Sequence, residues 1–556
     1  MKKKYLYTAL IGIMPLCYSC VDLDKMPLEQ QSDQSYWKTC DDATKAVNEL
    51  YTCYPEWDRN GILDITNAAF YADDAVNGIK WHEGNVAKGI YDPQDFSWKD
   101  NYNAIRKANI IITNTKDNKN ISDNDKNIIL AQAYFFRAYQ YFILIRQFGD
   151  VPYTESALDL DDQKDIVRTQ KTEVYKHILI DFDFAAAHLP LKWEGANEGR
   201  ITKGGALAMK ARVALSQNDW QTARDAAKAV MDLGIYELWD ANNTGKYKEL
   251  FWTRTDQGCK ETIIKREFVA YQDDWYLLGY QAFPQMGWGG IDPTQSLVDA
   301  FEDINGAPIA KSKIYNPAKP FENRDPRLEV TVFHDGETMY GQTLRVAPLK
   351  SCYPTGILTH GDATATGYNQ QKWLDPDVDP KVGGWHMEMD YKILRYAEVL
   401  LTYAEAQNEL NPLDKSALEA VNKVRRRVGM PELQTADSSK PSYCASQDDL
   451  RERIHNEWRV EFALEGGHRQ WDIRRWGIAK KVLNVPVYGL TYKLVNSPNA
   501  KKGDDGKICI LYSQDKDAVK IKVRDCHYKD YNILYPIPQR EIDLHSKLKQ
   551  NPGYDK

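Results

Sequence analysis

Apolar residues recur at helical spacing in several stretches of the chain, and between them lie long stretches where no period holds. From Trp37 to Tyr51, Ala43, Val47 and Leu50 fall on one helix face. Ser122 or Asp123 can cap a long helix through Ile129, Ala133, Phe136, Tyr139 and Ile143 to Phe148, with Gly149 placed to stop it and Pro152 beyond. The clearest pattern lies at 202–236. Thr202 caps a helix carrying Ala206, Ala208, Ala211 and Leu215, Asn218-Asp219-Trp220 makes a tight turn, and a second helix carries Ala223, Ala226, Ala227, Val230 and Leu233 before Gly234. Small residues at this spacing let two helices approach closely, and the unit has the length of a tetratricopeptide repeat, about 34 residues. Leu394 to Gly429 repeats the plan through Ala397, Leu401 and Ala404, a break at Asn411-Pro412, then Ala417, Val421 and Val424. Glu173 to Leu189 reads as half of such a pair.

This pattern predicts a mostly α fold, with tetratricopeptide-like helix pairs forming one large globular unit with long irregular inserts. Stacked pairs bury one continuous core. Residues 236–393, and more briefly 430–446 and 482–530, hold many Gly, Pro, Asp and aromatic residues without periodicity. Long loops tend to carry function. The expected organisation is therefore one domain over 37–556, with its scaffold at about 37–235 and 394–480 and a ligand-facing insert at about 236–393.

The N-terminus supplies an address. Lys2, Lys3 and Lys4 precede an apolar run from Tyr5 to Leu16, too short for a bilayer span and fitting a secretory signal. Cys20 follows Ser19, as in a lipoprotein signal, although Cys17 stands where Leu is usual. The expectation is a signal peptide over 1–19, lipidation at Cys20, and a tether over 20–36. Of nine Cys, seven then remain. They are scattered, so mostly free thiols are expected, with a Cys40–Cys53 pair left open. No mature Cys-x-x-Cys suggests a zinc site.

Composition narrows the function. A net charge of −7 argues against a nucleic-acid binder. The 15 Trp and 34 Tyr are abundant, and flat rings with a polar handle suit stacking on sugars or peptides. Most of these rings are expected in the core.

Five segments carry a family resemblance. They are Ala133-Tyr134-Phe135-Phe136-Arg137-Ala138-Tyr139 running on to Phe148-Gly149-Asp150-Val151-Pro152; Asn323-Arg324-Asp325-Pro326-Arg327; Leu394-Arg395-Tyr396-Ala397-Glu398 with Tyr403-Ala404-Glu405-Ala406; Glu457-Trp458-Arg459-Val460-Glu461-Phe462-Ala463 through Gly466-Gly467-His468-Arg469 to Asp472-Ile473-Arg474-Arg475-Trp476-Gly477; and Tyr535-Pro536-Ile537-Pro538 with Gln550-Asn551-Pro552-Gly553-Tyr554. In this order the chain resembles the SusD-like (SusD/RagB) outer-membrane lipoproteins. A doubled Gly466-Gly467, where one Gly is commoner, departs from the pattern. The resemblance implies a non-catalytic protein on the outer face of the outer membrane that acts as a lid over a TonB-dependent transporter and captures glycan. Read from the residues, Glu457 and Glu461 share a helix face and could be paired catalytic carboxylates, but the arginines around them favour an ion-pair network.

For glycan binding, rings beside acceptors outside these segments are the candidates. One cluster is Asp73, Asp74, Asn77, Trp81, His82 and Glu83. A second runs from Asp273-Asp274 through Trp275 and Tyr276 to Trp288. A third spans Trp373 to Trp385. The resemblance places the ligand surface in the early loops and the central insert, so Asp73, Asp74, Asn77, Trp81, Trp275, Tyr276 and Trp288 are the expected ligand residues. No cofactor is expected. Asp375, Asp377 and Asp379 mimic the start of a calcium loop, but Pro380 and His386 stand where Gly and Glu belong, which leaves a surface calcium open. Gly503-Asp504-Asp505-Gly506 reads as a hairpin turn. Peptide capture by the same fold, a surface glycoside hydrolase using Asp73-Asp74, and a scaffold with only protein partners are the rival readings.

Overall fold

The structure, a computed structural model, describes residues 36–53, 71–78, 98–158, 166–256, 258–272, 287–346, 364–379, 381, 386–496 and 507–554. Its first helix, α1 (Cys40–Tyr51), begins three residues after Trp37 because Thr39 caps it. The Thr39 hydroxyl accepts from the Asp42 amide while the Asp42 carboxylate accepts from the Thr39 amide, a capping box. Ala43, Val47 and Leu50 are buried as their spacing requires. Helices α2 (Trp98–Lys116) and α3 (Asp123–Phe148) follow. Ser122 caps α3, and Gly149, at φ +75°, ends it. Among the described residues α3 is the one helix long and apolar enough to cross a membrane, but 89% of its apolar window is buried in the protein, so it is a core helix.

The half-repeat is α4 (Lys171–His188), and the 202–236 unit is the hairpin of α5 (Lys203–Ser216) and α6 (Trp220–Asp232), turned by Asn218 at φ +58° and capped by Asp219. After the short α7 (Gln295–Ala300), the second repeat is α8 (Tyr396–Leu410) with α9 (Lys415–Arg426), followed by α10 (Gln447–Glu461) and α11 (His468–Arg475). From α2 to α6 each helix packs on the next. Helix α6 then packs on α8, and α8 carries both α9 and α10, so one helical stack joins the two halves of the chain. The fold is thus mostly helical and tetratricopeptide-like.

Among the described residues strands are few, and most are short. β1 (Ala75–Asn77) pairs antiparallel with β3 (Ile291–Pro293), and β2 (Thr262–Arg266) with β4 (Tyr391–Arg395). A three-stranded antiparallel sheet has β5 (Val487–Asn496) between β6 (Lys507–Leu511) and β7 (Val519–Arg524). This sheet lies where the sequence was read as irregular. The turn expected at 503–506 falls outside the described residues, although the strands flanking it pair with Lys507 opposite Asn496. Cys40 is a free thiol, so the Cys40–Cys53 pair is not made.

The insert is not a separate body. Its Glu261, Glu302, Asp325, Arg327 and Lys372 enter a buried ionic network with the helical scaffold. Arg395, fully buried, donates to Glu261 at 2.7 Å, to Glu461 at 2.6 Å and to both oxygens of Glu465 at 2.9 Å. Arg327 reaches Asp325 at 2.7 Å, Glu457 at 2.5 Å and Glu461 at 3.1 Å. Arg425 bridges Glu302 and Glu457, Arg427 bridges Glu261 and Glu461, and Lys372 donates to Glu465 at 2.9 Å. Glu457 and Glu461 are therefore structural, each closed in by guanidinium groups. Burial alone would raise Glu461, but Arg427, Arg395 and Arg327 outweigh it and hold its carboxyl well below the usual range.

Removing one partner strands the others as uncompensated buried charges, which costs about 3–5 kcal/mol. Glu461→Gln is expected to lower the urea unfolding midpoint by that equivalent at pH 7. A depressed carboxyl stabilises the folded state above its unfolded pKa of 4.5 and loses that contribution as pH falls toward the folded value. The gap between wild type and Glu461→Gln is thus expected to be constant above about pH 5 and to narrow below pH 4.5, which urea titrations at stepped pH would read.

Candidate functional site

The β1–β3 ribbon joins two of the clusters expected to meet ligand. Ala75 pairs with Pro293 and Asn77 with Ile291, and the Gly78 amide donates to the Gly290 carbonyl at 3.1 Å. The chains approach so closely there that a Cβ on Gly78 would lie 2.1 Å from the Gly289 carbonyl oxygen, which only glycine avoids. Trp288 sits at this end of the ribbon, 43% exposed. Asn77 is buried within the ribbon. Trp81, Trp275 and Tyr276 lie outside the described residues, as do His82, Glu83, Asp273 and Asp274.

At the other end, Asp73 and Asp74 have partners that the sequence reading did not give them. Both are buried, and the backbone carbonyls of Asp73 and Asp74 accept from the Thr294 hydroxyl at 2.6 Å and its amide at 2.9 Å. The Asp73 carboxylate accepts from Arg469 at 2.8 and 3.0 Å and from Arg459 at 3.1 Å, while Asp74 accepts from Arg459 at 2.8 Å. Burial works to raise Asp73, but the two guanidinium charges outweigh it and hold the carboxyl below its ordinary value. These carboxylates clasp the ribbon to α10 and α11. Burial raises the Asp74 carboxyl, but both carboxylates already accept from guanidinium groups, so they are neither the open acceptors that their sequence suggested nor an acid/base dyad free to donate.

Asp73 and Arg459 also form the floor of an open cleft with a volume of 790 Å³. One wall is the face of α7 with Gln295, Ser296 and Asp299, continued by Tyr315, Pro317 and Pro320. The opposite wall is the three-stranded sheet, with Tyr488, Gly489 and Thr491 from β5, the turn Tyr512-Ser513-Gln514-Asp515, and Lys520 from β7. Tyr488 is 37% exposed, and the Lys520 ammonium sits 6.0 Å from its ring centroid. Rings flanked by amide, hydroxyl, carboxylate and ammonium groups can stack on an apolar face of a ligand and hydrogen-bond its edge. This volume lies in the range of ligand clefts, roughly 300–1,000 Å³.

Sequence reasoning missed this wall because 482–530 was set aside as loop. The signal was present in the alternation of Val519-Lys520-Ile521-Lys522-Val523 and in Leu490-Thr491-Tyr492-Lys493-Leu494, a period of two that marks half-buried strands. The third cluster is corrected. Trp373 is 2% exposed, donates to the Leu464 carbonyl at 3.3 Å, and packs edge-on against Phe251 in the core, while Trp385 lies outside the described residues. The acidic run beside it is occupied by protein donors. Asp375 accepts from the Thr253 and Asp377 amides, and Asp377 pairs with Arg254 at 2.8 Å. No group of three metal-ligating side chains occurs among the described residues.

Comparison with known proteins gives this geometry a family. Residues 247–554 match the model of the SusD family, and residues 27–215 match a model described as starch-binding associating with outer membrane. SusD-like protein P2 of Formosa agariphila is 27% identical over 494 residues, 86% of this chain and 92% of that one. Two crystal structures from Bacteroides fragilis superpose across their whole length. A SusD-like protein aligns with 95% of this chain at 27% identity and a TM-score of 0.76, and a SusD-like carbohydrate binding protein aligns with 92% at 25% identity and 0.78. The scaffold helices and the clasp span both matched regions, the buried network lies within 247–554, and the chain belongs to the SusD family, a non-catalytic carbohydrate-binding family.

Proposed function

We propose that this protein captures poly- or oligosaccharide at the cell surface and passes it to a TonB-dependent outer-membrane transporter, with Cys20 carrying the lipid that holds it on the membrane. The observation that carries the binding half is the open cleft walled by Tyr315, Tyr488 and Tyr512 beside hydrogen-bonding side chains, continuous through Asp73 with the ribbon that presents Trp288. Sugars expose C–H faces that stack on such rings and hydroxyls that pair with Gln, Asp and Lys. A pre-formed wall also lowers the entropic cost of binding a flexible chain. The match to a starch-binding, outer-membrane-associated family model and the B. fragilis structure described as carbohydrate-binding support the ligand class and the location. The signal-like N-terminus supports the anchor. The candidates Trp81, Trp275 and Tyr276 remain part of the proposed ligand surface together with Trp288, and Asp73, Asp74 and Asn77 take a positioning part in it.

Affinity electrophoresis of the soluble chain beginning after Cys20, through gels holding a panel of polysaccharides, tests the binding reading. One glycan is expected to retard the protein without product release. Tyr488→Ala and Trp288→Ala are each expected to weaken binding by several-fold to about tenfold, the loss of one ring contact worth about 0.5–1.5 kcal/mol. Retardation by no glycan, with capture of peptides by the same protein, would overturn the glycan reading. For the anchor, Cys20→Ala is expected to move the protein from the membrane fraction to the soluble fraction and to abolish incorporation of labelled palmitate.

A further inference from the structure

Several arginines in the core of this protein hold a carboxylate. Arg137 holds Asp181 at 2.7 Å, Arg212 holds Glu398 at 2.5 Å, and Arg475 holds Glu405 at 2.5 Å. Arg146, on the last turn of α3, differs. Its half-buried guanidinium lies 4.7 Å from the ring centroid of Phe142 and 4.3 Å from that of Trp471. Its Nε is shut off from solvent with no hydrogen-bond partner, and no carboxylate among the described residues pairs with the side chain. Burial pushes Arg146 down to about 9, and the nearby positive charges of Arg212 and Arg474 push in the same direction.

Arg146 opens on a cavity of 90 Å³ bounded also by Arg212, His468, Trp471 and Arg475, and by Glu398 and Asp472, whose carboxylates are taken up by Arg212 and Arg475. The other two arginines each hold a carboxylate. Arg475 is clamped between Glu405 and Asp472, and Arg212 directs Nε and Nη2 at Glu398 and the Ile393 carbonyl. Arg212 Nη1 makes no such bond, so two guanidinium groups present unengaged N–H donors to one space. A guanidinium held between two rings, with two further guanidinium groups beside it and no carboxylate of its own, lacks a direct counter-ion. An apolar side chain of like length would fill the gap between Phe142 and Trp471 and need none.

We propose that this cavity is an anion site, in which a small oxyanion, a carboxylate or sulfate-sized group, binds as the counter-ion of Arg146 with Arg212 as second donor. Planar guanidinium groups suit this chemistry because their fixed N–H forks match two oxygens at once. The volume admits a few heavy atoms and not a sugar ring, which separates this site from the cleft. It lies between α3, α5 and α11, and α11 also carries Arg469 of the clasp.

Thermal unfolding of the soluble chain in sodium sulfate and in sodium acetate, each against sodium chloride at matched ionic strength, tests the proposal. Sulfate or acetate is expected to raise the midpoint saturably, by about 2–4 °C at a hundredfold excess over Kd. Which of the two acts at lower concentration identifies the preferred oxyanion. Arg146→Met, which keeps the aliphatic packing, is expected to lose that rise while unfolding near the wild-type midpoint in chloride. Equal responses in wild type and Arg146→Met, or none in either, would overturn the site. Should Arg146→Met fail to fold, wild-type crystals soaked in selenate decide the matter. An anomalous peak beside Arg146 supports the proposal, and its absence rejects it.

Discussion

One buried carboxylate, Glu461, holds the most guanidinium groups together, and the arrangement of the rest follows from that constraint. Arg327, Arg395 and Arg427 all converge on it from separate parts of the chain. None can be removed from water without a counter-charge, so the segments that carry them must be brought to the same point. Three of the family segments contribute to this cluster, through Asp325 and Arg327, through Arg395, and through Glu457, Glu461 and Glu465. Such a network is weak evidence for net stability, since well-packed apolar residues would serve as well, but it is demanding about geometry. It admits one arrangement of insert against scaffold.

The same helix carries that constraint to the ligand side. On α10, Glu457 and Glu461 are four residues apart and share the inward face, while Arg459, between them, projects away toward Asp73 and Asp74. Arg469, on α11, completes the grip on Asp73. The ribbon of β1 and β3 is two short strands that would be marginal alone. Held by two arginines at one end and by the Gly78–Gly290 approach at the other, it becomes a fixed edge from which Trp288 and the cleft floor are presented. Pre-organisation of a binding surface therefore traces back to a helix locked in the core.

The cleft divides its labour differently. Its floor is framework, with Asp73 and Arg459 already saturated by each other, and its walls are the pieces free to vary. Tyr315 comes from the insert, and Tyr488, Tyr512 and Lys520 come from a sheet near the C-terminus. The charges at the floor are already paired, and the rings on the walls, beside Gln295, Ser296, Asp299, Asp515 and Lys520, suit a hydroxylated ligand.

The sequence by itself determined most of the long helices. Apolar period, Ser122, Thr202 and Asp219 as caps, and Gly149 as a stop are local properties, and local sterics and hydrogen bonding decide them. It also determined that the dense charges of 457–476 would pair, because that many ionised groups on apolar helices have no other low-energy state. The α2 helix was missed because its apolar positions are interrupted by Asn and Thr, which the core accommodates only through tertiary partners such as Arg137 on Asn109. The sheet was missed although its alternation was legible. Which carboxylate meets which arginine was not legible at all. Asp73 and Asp74 read as exposed acceptors in a polar loop, and only the fold, placing Arg459 and Arg469 from nearly four hundred residues away against them, turned them into a clasp. Local order is written in neighbouring residues, whereas the partner of a buried charge is set by chain segments that meet only after folding.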